Sequence, residues 1–392
     1  MKPFVHLALV ALFLAACTRS EPHSTSRPSV AEDKRFDDSA ERLSLLELAH
    51  GGTVAARTGE AMLEVSALRA IDGEPGSFWM SPPHDLPQSM VIALPARSRI
   101  DKVGIRTQAK GTFTANHVAF ETSIDGRTFT PAITIKSADT SDAQWFDIKP
   151  AQAAYVRVTL VDSLLPDHDV RLNSALARGT ELEPAHPGDI TGCWSINGEQ
   201  ARFARRGAHV VGILETGKEP MRFDGGFDGR IYRLNWIRGN DCGMTLLTVA
   251  PDGQHLSALN WHEEAIPMFL DTSWFGKKLT CSASIADSGE VAVALLHRNG
   301  RCSLYDRADL PRLLRETTNL QFVAHEFRFP TAEQNRAASE QELAVMRQQL
   351  QSAGIDVSKI TFVARGSDAP RQEPVTEAMR ALYSTIDLEI RR

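Results

Sequence analysis

The sequence of 392 residues lacks a long apolar segment after residue 16, an excess of basic residues, and any recognisable spacing of catalytic groups. Without a second run of ~20 apolar residues, it predicts no membrane-spanning helix. Its 43 lysines and arginines against 49 aspartates and glutamates give a net charge of −6, which provides no electrostatic argument for binding nucleic acid. Carboxylates and histidines are scattered, so the sequence predicts no catalytic residues and a protein that is not an enzyme.

The first twenty residues, MKPFVHLALVALFLAACTRS, contain one lysine followed by a short apolar run. Residues 1–16 therefore have the organisation of a secretory signal peptide. Cys17 directly follows Leu-Ala-Ala, which resembles the bacterial lipobox, where the cysteine receives a diacylglycerol. The resemblance implies a lipid anchor at Cys17, and Thr18 in place of an aspartate implies the outer membrane. An ordinary signal peptide with an incidental cysteine is the alternative.

Residues 17–43 follow this predicted anchor and are polar, rich in serine and heavily charged. Such a segment cannot bury a hydrophobic core. It predicts a lipidated, flexible tether that holds the folded part of the chain away from the membrane.

Few cysteines remain in the rest of the chain, namely Cys193, Cys242, Cys281 and Cys302. An even number in an exported protein predicts two disulfides, but four cysteines allow three pairings and the sequence does not select one. None of the four has the spacing of a zinc site, so we predict no metal bound by cysteine.

Residues 44–178 are dominated by short runs that alternate between apolar and polar residues. In YVRVTLV, Val156, Val158 and Leu160 alternate with arginine and threonine, as expected of a strand with one buried face. Asp125-Gly126 separates two such runs and predicts a hairpin turn. The pattern predicts a compact antiparallel β-sandwich.

The order of motifs in this region resembles the discoidin, or coagulation factor type C, domain. The motifs are ALRAIDGEPGSFWMSP, IDKVGIRT, FETSIDGRTFTP and WFDIKPAQAAYVRVTL. The resemblance implies an eight-stranded jelly-roll sandwich that binds glycans, lipid head groups or proteins through loops at one end. It implies a packing role for Trp79 and, because some members carry a structural calcium, a calcium role for Asp72; alternatively, Asp72 only forms the turn. The loops show no clear cluster of aromatic residues and arginine, so the sequence does not specify the ligand.

Residues 186–282 contain glycines at turn-like intervals, which predicts a small antiparallel β-barrel or meander. Four of the six tryptophans fall here: Trp194, Trp236, Trp261 and Trp274. We expect them to fill the core of this domain, with an aromatic-lined ligand cavity as the alternative. The tripeptide LNW occurs at 234–236 and again at 259–261, which predicts two equivalent strands. Cys193 and Cys281 lie near the two ends of the domain, and one hypothesis pairs them across its first and last strands.

Residues 285–392 change to strands alternating with helices, which predicts an α+β sandwich with helices on one face of a sheet. Thr331 and Gln334 have the spacing of a capping box, and Gly354 follows the last apolar residue of the predicted helix. The order of these elements, with Asn335 near the start of the helix, resembles the OmpA-like peptidoglycan-binding domain. The whole chain is thus predicted to be multidomain and mostly β.

The OmpA-like resemblance implies a wall-binding site that is degenerate in this chain. In that family an aspartate and an arginine bind the diaminopimelate of the peptide stem, whereas here Phe327 occupies the aspartate position and Glu342 the arginine position. A carboxylate at this second position repels the carboxylate of the ligand. His325, Glu326 and Asn335 remain as possible wall-binding residues, since Glu326 could replace the aspartate after a slip of one residue.

The sequence as a whole predicts a non-enzymatic outer-membrane lipoprotein that faces the periplasm and binds or bridges components of the cell envelope. Its OmpA-like domain would contact peptidoglycan by a non-standard site, or another envelope protein. The alternative is a surface-exposed glycan-binding or adhesion protein that acts through the discoidin-like domain. No cofactor is predicted apart from a structural calcium.

Overall fold

The structure is a computed structural model. It describes residues 44–82, 85–108, 113–165, 168–217, 219–239, 241–262, 272–281, 295–298, 301–304, 320–352, 354–368, 380, 384 and 386–390. The predicted signal peptide, Cys17 and the tether up to residue 43 lie outside the described residues. In the described part of the chain, no helix combines the length and apolar character needed to span a bilayer.

Eight strands make up the first domain as described, and they form the predicted β-sandwich. They are β1 (Thr53–Arg57), β2 (Trp79–Met80), β3 (Gln88–Arg106), β4 (Ala115–Ser123), β5 (Thr130–Lys136), β6 (Gln144–Ser163), β7 (Arg171–Leu172) and β8 (Ser174–Glu181). β1, β3, β6, β4 and β5 lie side by side in this order, β8 also pairs with β3, and β2 pairs with β7. Short 3-10 helices cover Leu48–His50, Leu63–Val65 and Ala67–Ala70.

The long strands β3 and β6 run through both parts of the sandwich. Up to Ala93, β3 pairs with β1 and the second half of β6; from Ser98 onward it pairs with β8 and the first half of β6. The register shifts between these two residues, as it does at a β-bulge where a strand bends. The predicted alternation is confirmed, since Val156, Val158 and Leu160 are fully buried.

Eight further strands form a closed antiparallel barrel, which confirms the predicted barrel. They are β9 (Gly192–Ile196), β10 (Glu199–Arg206), β11 (His209–Glu215), β12 (Met221–Phe227), β13 (Tyr232–Arg238), β14 (Asp241–Val249), β15 (His255–His262) and β16 (Thr272–Leu279). Each strand pairs with the next, and β16 closes the barrel by pairing with β9.

The tryptophans of the barrel are buried, but not all of them in its interior. Trp194, Trp236 and Trp274 belong to the cluster that fills the barrel, as expected of core residues. Trp261 instead belongs to the core cluster of the sandwich. The equivalence predicted from the repeated LNW is therefore wrong, because Leu234 and Trp236 point into the barrel while the second copy, on β15, points out of it.

The outer wall of the barrel forms part of the hydrophobic core of the sandwich. Leu246, Leu259 and Trp261 lie on this wall and are buried in the same cluster as the sandwich residues. β1 lies against β15, and the backbone N–H of Val54 donates to Ser257 Oγ at 2.9 Å. The sandwich and the barrel thus share one buried interface.

An ion pair also joins the two domains. Arg230 of the barrel binds both carboxylate oxygens of Glu181, at 2.6 and 2.9 Å, and donates to the His50 carbonyl at 3.0 Å. The bidentate geometry fixes the plane of the guanidinium.

The C-terminal part contains a five-stranded sheet and one helix within the described residues. Its elements are β17 (Leu295–Arg298), β18 (Arg301–Leu304), β19 (Leu320–His325), α1 (Ala332–Ser352), β20 (Ile360–Gly366) and β21 (Ile386–Ile390), with a 3-10 turn at Val357–Lys359. The strand order is β18-β17-β21-β19-β20, and α1 packs on β19 and β20 through Leu343, Met346 and Leu350. The other helix that the alternating pattern predicts in this part, at 308–318 before β19, lies outside the described residues.

The start of α1 has the predicted capping box. Thr331 Oγ1 accepts from the backbone N–H of Gln334 at 3.2 Å, and Gln334 Oε1 accepts from the backbone N–H of Thr331 at 3.3 Å. The two residues therefore satisfy each other's backbone donors.

One disulfide joins Cys193 of β9 to Cys281, just beyond β16. It confirms the hypothesis that these cysteines connect the first and last strands of the barrel. Cys242 is disulfide-bonded as well. Cys302 lies on β18, whose side chains are outside the described part.

Candidate ligand-binding site

Three loops bring an arginine and two phenylalanines together at one end of the sandwich. Arg171 begins β7, Phe78 precedes β2, with which β7 pairs, and Phe113 lies just before β4. The guanidinium carbon of Arg171 lies 4.5 Å from the centroid of the Phe78 ring and 4.4 Å from that of Phe113. The backbone N–H of Arg171 donates to the Phe113 carbonyl at 2.6 Å. The two rings thus hold the charged group by cation–π contacts.

Polar atoms of this cluster lack partners in the part of the chain that the structure describes. The guanidinium of Arg171 makes no hydrogen bond or ion pair with a described residue, and its Nε is buried. Asn173 donates from Nδ2 to the carbonyls of Pro75 (3.2 Å) and Ser77 (2.9 Å), while its buried Oδ1 has no described partner. Each buried polar group without a partner costs ~1–3 kcal/mol.

Apolar and aromatic side chains surround this cluster. The ring of His168 is exposed and lies 5.9 Å from the Phe113 ring, at 82° to it. Leu164 and Leu165, on the loop that leads to Arg171, are 51% and 41% exposed. An apolar surface with a few polar groups at its centre is typical of small-molecule sites.

The prediction that these loops contain no cluster of aromatic residues and arginine is wrong. Phe78, Phe113 and Arg171 are far apart in the sequence and are brought together by the pairing of β2 with β7 and by a parallel bridge between Thr114 and Arg171. The cluster was missed because these long-range pairings have no signal in any single segment of the sequence.

Oxygen atoms converge at the turn that contains Asp72. Ser77 Oγ lies 2.8 Å from Asp72 Oδ1, 3.0 Å from the Arg69 carbonyl oxygen and 2.9 Å from the Glu74 carbonyl oxygen. A hydroxyl has one hydrogen and cannot donate to all three acceptors. Burial raises the pKa of Asp72 to about 7, although the charge of Arg69 lowers it. A bound cation or a proton on Asp72 would relieve this crowding of oxygens.

The donor set of the turn fits calcium in part. Calcium takes ~6–8 oxygen ligands, and one carboxylate, one hydroxyl and two carbonyls converge here, so such an ion would keep several waters. Within the described part of the chain, no group of three or more His, Cys, Asp or Glu side chains is arranged so that it could hold a metal ion. Asp72 Oδ1 also accepts from the Glu74 N–H at 2.9 Å, so Asp72 shapes the turn.

Residues 54–169 match the family model of the F5/8 type C domain. The sandwich contains an F5/8 type C domain. A comparison with curated proteins finds no match.

Solved structures similar to the F5/8 type C domain include three bacterial modules. One is the C-terminal domain of a chitobiase from Bacteroides fragilis, with 22% identity and a TM-score of 0.31, covering 34% of this chain and 96% of that chain. Another is CBM32-3 from a family 31 glycoside hydrolase of Clostridium perfringens, with 17% identity and a TM-score of 0.31, covering 34% and 93%. A third is the family 32 CBM from C. perfringens NanJ in complex with galactose, with 16% identity and a TM-score of 0.30, covering 34% and 97%.

The possible wall-binding residues of the C-terminal part are all buried: His325 is 5% exposed, Glu326 0% and Asn335 4%. Glu326 Oε1 accepts from Ser384 Oγ at 2.6 Å. The Asn335 side chain accepts from the backbone N–H of Phe329 at 2.9 Å and donates to its carbonyl at 3.0 Å. The polar groups of Glu326 and Asn335 are thus used within the fold.

Glu342 occupies the position where the OmpA-like resemblance implies an arginine. The guanidinium of Arg328 lies beside it. Arg328 Nη2 lies 3.2 Å from Glu342 Oε1, and Nε donates to Glu326 Oε1 at 2.8 Å. Nη1 lies 3.4 Å from Asp228 Oδ2 on the barrel. No sequence pattern indicated this arginine, because it comes from the loop before α1 and not from the helix.

Three carboxylates share Arg328, and the pKa values of two of them, Glu326 and Glu342, shift in opposite directions. Burial disfavours the ionised form of Glu326, but the hydrogen bonds and charge of Arg328 outweigh it and lower the pKa of Glu326. Burial raises the pKa of Glu342, although Arg233 opposes the shift. Arg233 of the barrel also donates to the Ser384 carbonyl at 2.6 Å. This cluster is an ionic contact between the barrel and the C-terminal part.

We expect calcium to raise the melting temperature of the full chain relative to the same protein in EDTA, because an ion bound only by the folded state stabilises it, by ~2.7 kcal/mol at a hundredfold excess over Kd. Asp72→Asn should abolish the shift. Asp125→Asn is the control, since Asp125 Oδ1 also accepts backbone N–H groups in a turn, at 2.8 Å. If the melting temperature of the wild type is the same in calcium and in EDTA, Asp72 serves only to form the turn.

Replacement of Arg328 by methionine should lower the free energy of unfolding by ~3–5 kcal/mol, because it leaves the buried Glu326 without its counter-charge. Arg336→Met is the control: Arg336 is 62% exposed and lies 3.8 Å from Glu340, so its loss should cost ~0–1 kcal/mol. Urea unfolding at neutral pH measures both. Adding Glu326→Gln to Arg328→Met should recover part of the lost stability, because it removes the unpaired charge. Equal losses of stability in Arg328→Met and Arg336→Met would contradict this account.

Proposed function

We propose that this protein binds glycans at the loop end of its F5/8 type C domain. The observation that carries the proposal is the Arg171 guanidinium, held between Phe78 and Phe113 with no described partner for its hydrogen-bond donors. Asn173 adds an acceptor without a described partner. Sugars carry both donors and acceptors on an otherwise apolar ring, so they match this combination of aromatic and polar groups.

The proposal includes a lipid anchor and the absence of catalysis. The lipobox-like sequence before Cys17 supports attachment to the outer membrane through acyl chains, with residues 17–43 as a tether. The scattered positions of carboxylates and histidines support a binding protein and not an enzyme. The glycan-binding loops would then act at the cell surface.

A second candidate is a bridge to the cell wall or to another envelope protein, through the C-terminal part. The strand order β17-β21-β19-β20, with α1 packed on the sheet, supports the OmpA-like resemblance. The contact of Arg328 with Glu342 at 3.2 Å supplies an arginine where the family has one. This arginine is paired with carboxylates, so peptidoglycan binding here would follow a non-standard mode and the protein would face the periplasm.

Arg171→Ala and Phe113→Ala should each weaken glycan binding by about tenfold or more, because a truncated central contact of a binding site typically costs ~2 kcal/mol or more. The measurement is binding of the purified full chain to a glycan array, with galactose, the sugar bound to the NanJ module, among the probes. Arg157→Ala is the control, since Arg157 stacks 4.3 Å from the Phe129 ring but pairs with Glu121. Unchanged binding by the Arg171 and Phe113 variants would contradict the proposed site.

Protease treatment of intact cells separates the two candidates. A surface protein that binds external glycans should be cleaved on intact cells, because the protease reaches it without crossing the outer membrane. A periplasmic bridge should be protected until the outer membrane is opened. Protection on intact cells would therefore contradict the glycan-binding role at the surface and favour the bridge.

A further inference from the structure

The positive charge of Arg171, at the centre of the candidate ligand-binding site, has no counter-charge within the described residues. Four other arginines of the sandwich pair with carboxylates: Arg57 with Glu60, Arg69 with Asp72, Arg97 with Glu183 and Arg157 with Glu121. Arg171 differs from these four, although it is half-buried and lies between two aromatic rings. A neutral sugar would satisfy its hydrogen bonds but not its charge.

We propose that the glycan recognised at this site is acidic and that Arg171 binds the carboxylate of a uronic acid residue. This inference rests on the proposed glycan-binding function and names the class of sugar. Both rings lie within 4.5 Å of the guanidinium carbon, and a guanidinium donates hydrogen bonds only in its own plane, along its edges. The N–H groups along that edge match the two oxygens of a carboxylate.

The surroundings of Arg171 strengthen an ion pair with the ligand. Phe78 and Phe113 both pack against the guanidinium and exclude water from part of it, and a charge pair is stronger where water is excluded. Two acidic groups on neighbouring segments already have partners within the protein. Asp72 lies 3.5 Å from Arg69, and Asp162 accepts from His117 at 2.9 Å.

The side chain of Asn173 provides a further polar group beside Arg171. Its Nδ2 group is used by the Pro75 and Ser77 carbonyls, which leaves Oδ1 as an acceptor that requires a donor. A uronic acid offers hydroxyl donors beside its carboxylate, so one residue of the glycan can supply hydrogen bonds as well as a counter-charge. A simple anion such as phosphate offers fewer donors at neutral pH.

Matched pairs of sugars test the inference. The probes are the methyl glycosides of galactose, glucose and mannose, each compared with its uronic acid, which differs only in carrying a carboxylate in place of the C6 hydroxymethyl group. We expect the full chain, in isothermal titration calorimetry at low salt, to bind at least one uronic acid about tenfold or more tightly than its neutral partner. The preference should shrink as salt is raised, because added ions screen the pair.

Variants assign the preference to Arg171. Arg171→Gln should remove it, and Arg171→Lys should retain part of it, since lysine keeps the charge but not the planar edge. Arg157→Gln is the matched control and should leave the preference unchanged. Retention of the full preference in Arg171→Gln would overturn the role of Arg171.

The possible failures are distinguishable. Equal binding of neutral and acidic partners, lost in Arg171→Gln, would overturn the acidic-sugar inference and leave the proposed glycan-binding function in place. Absence of binding to all six probes and to the glycan array would overturn the proposed function and this inference with it.

Discussion

The packing of the barrel wall into the core of the sandwich is the contact on which the arrangement of the described chain depends. Strands of the barrel alternate between inward and outward side chains, and an isolated barrel would expose the outward set to water. On β14 and β15 that set includes Leu246, Leu259 and Trp261, which are buried against the sandwich. These strands are therefore apolar on both faces and need the sandwich as a cover. The Arg230–Glu181 ion pair then fixes the orientation that apolar packing alone leaves undetermined.

The contact between the barrel and the C-terminal part is of a different kind. It is built on Arg328, which is shared by Asp228, Glu326 and Glu342. A buried ion pair gains little net stability over apolar packing, but it strongly disfavours arrangements in which a charge is left unpaired. Such a cluster selects one orientation of the two parts. It also explains why Glu326, whose position in the sequence resembles a ligand-binding aspartate, faces another protein side chain.

The sequence predicted the features that depend on local patterns, and it failed where distant segments meet. Alternation in 155–161 indicated a buried strand face, and the spacing of Thr331 and Gln334 indicated a helix start, because each signal lies within a few residues. A period of two shows which residues share a face but not whether that face points inward. The two LNW segments therefore looked equivalent although they face opposite sides of the barrel wall. Phe78, Phe113 and Arg171 carried no joint signal, since strand pairing alone brings them together.

The backbone beside Phe78 is held in place by its buried neighbour, Trp79. Trp79, next to Phe78, is fully buried and donates from Nε1 to the Gly59 carbonyl at 3.3 Å. Side chains held in this way lose little further freedom on binding. We therefore expect affinity to depend on how well the charge and plane of the Arg171 guanidinium match those of the ligand, and not on the closure of a loop. Ser77 connects this site to the neighbouring turn, since its carbonyl holds Asn173 at 2.9 Å while its hydroxyl lies 2.8 Å from Asp72. The occupant of the turn, a proton or a cation, therefore bears directly on the position of the Asn173 side chain beside Arg171.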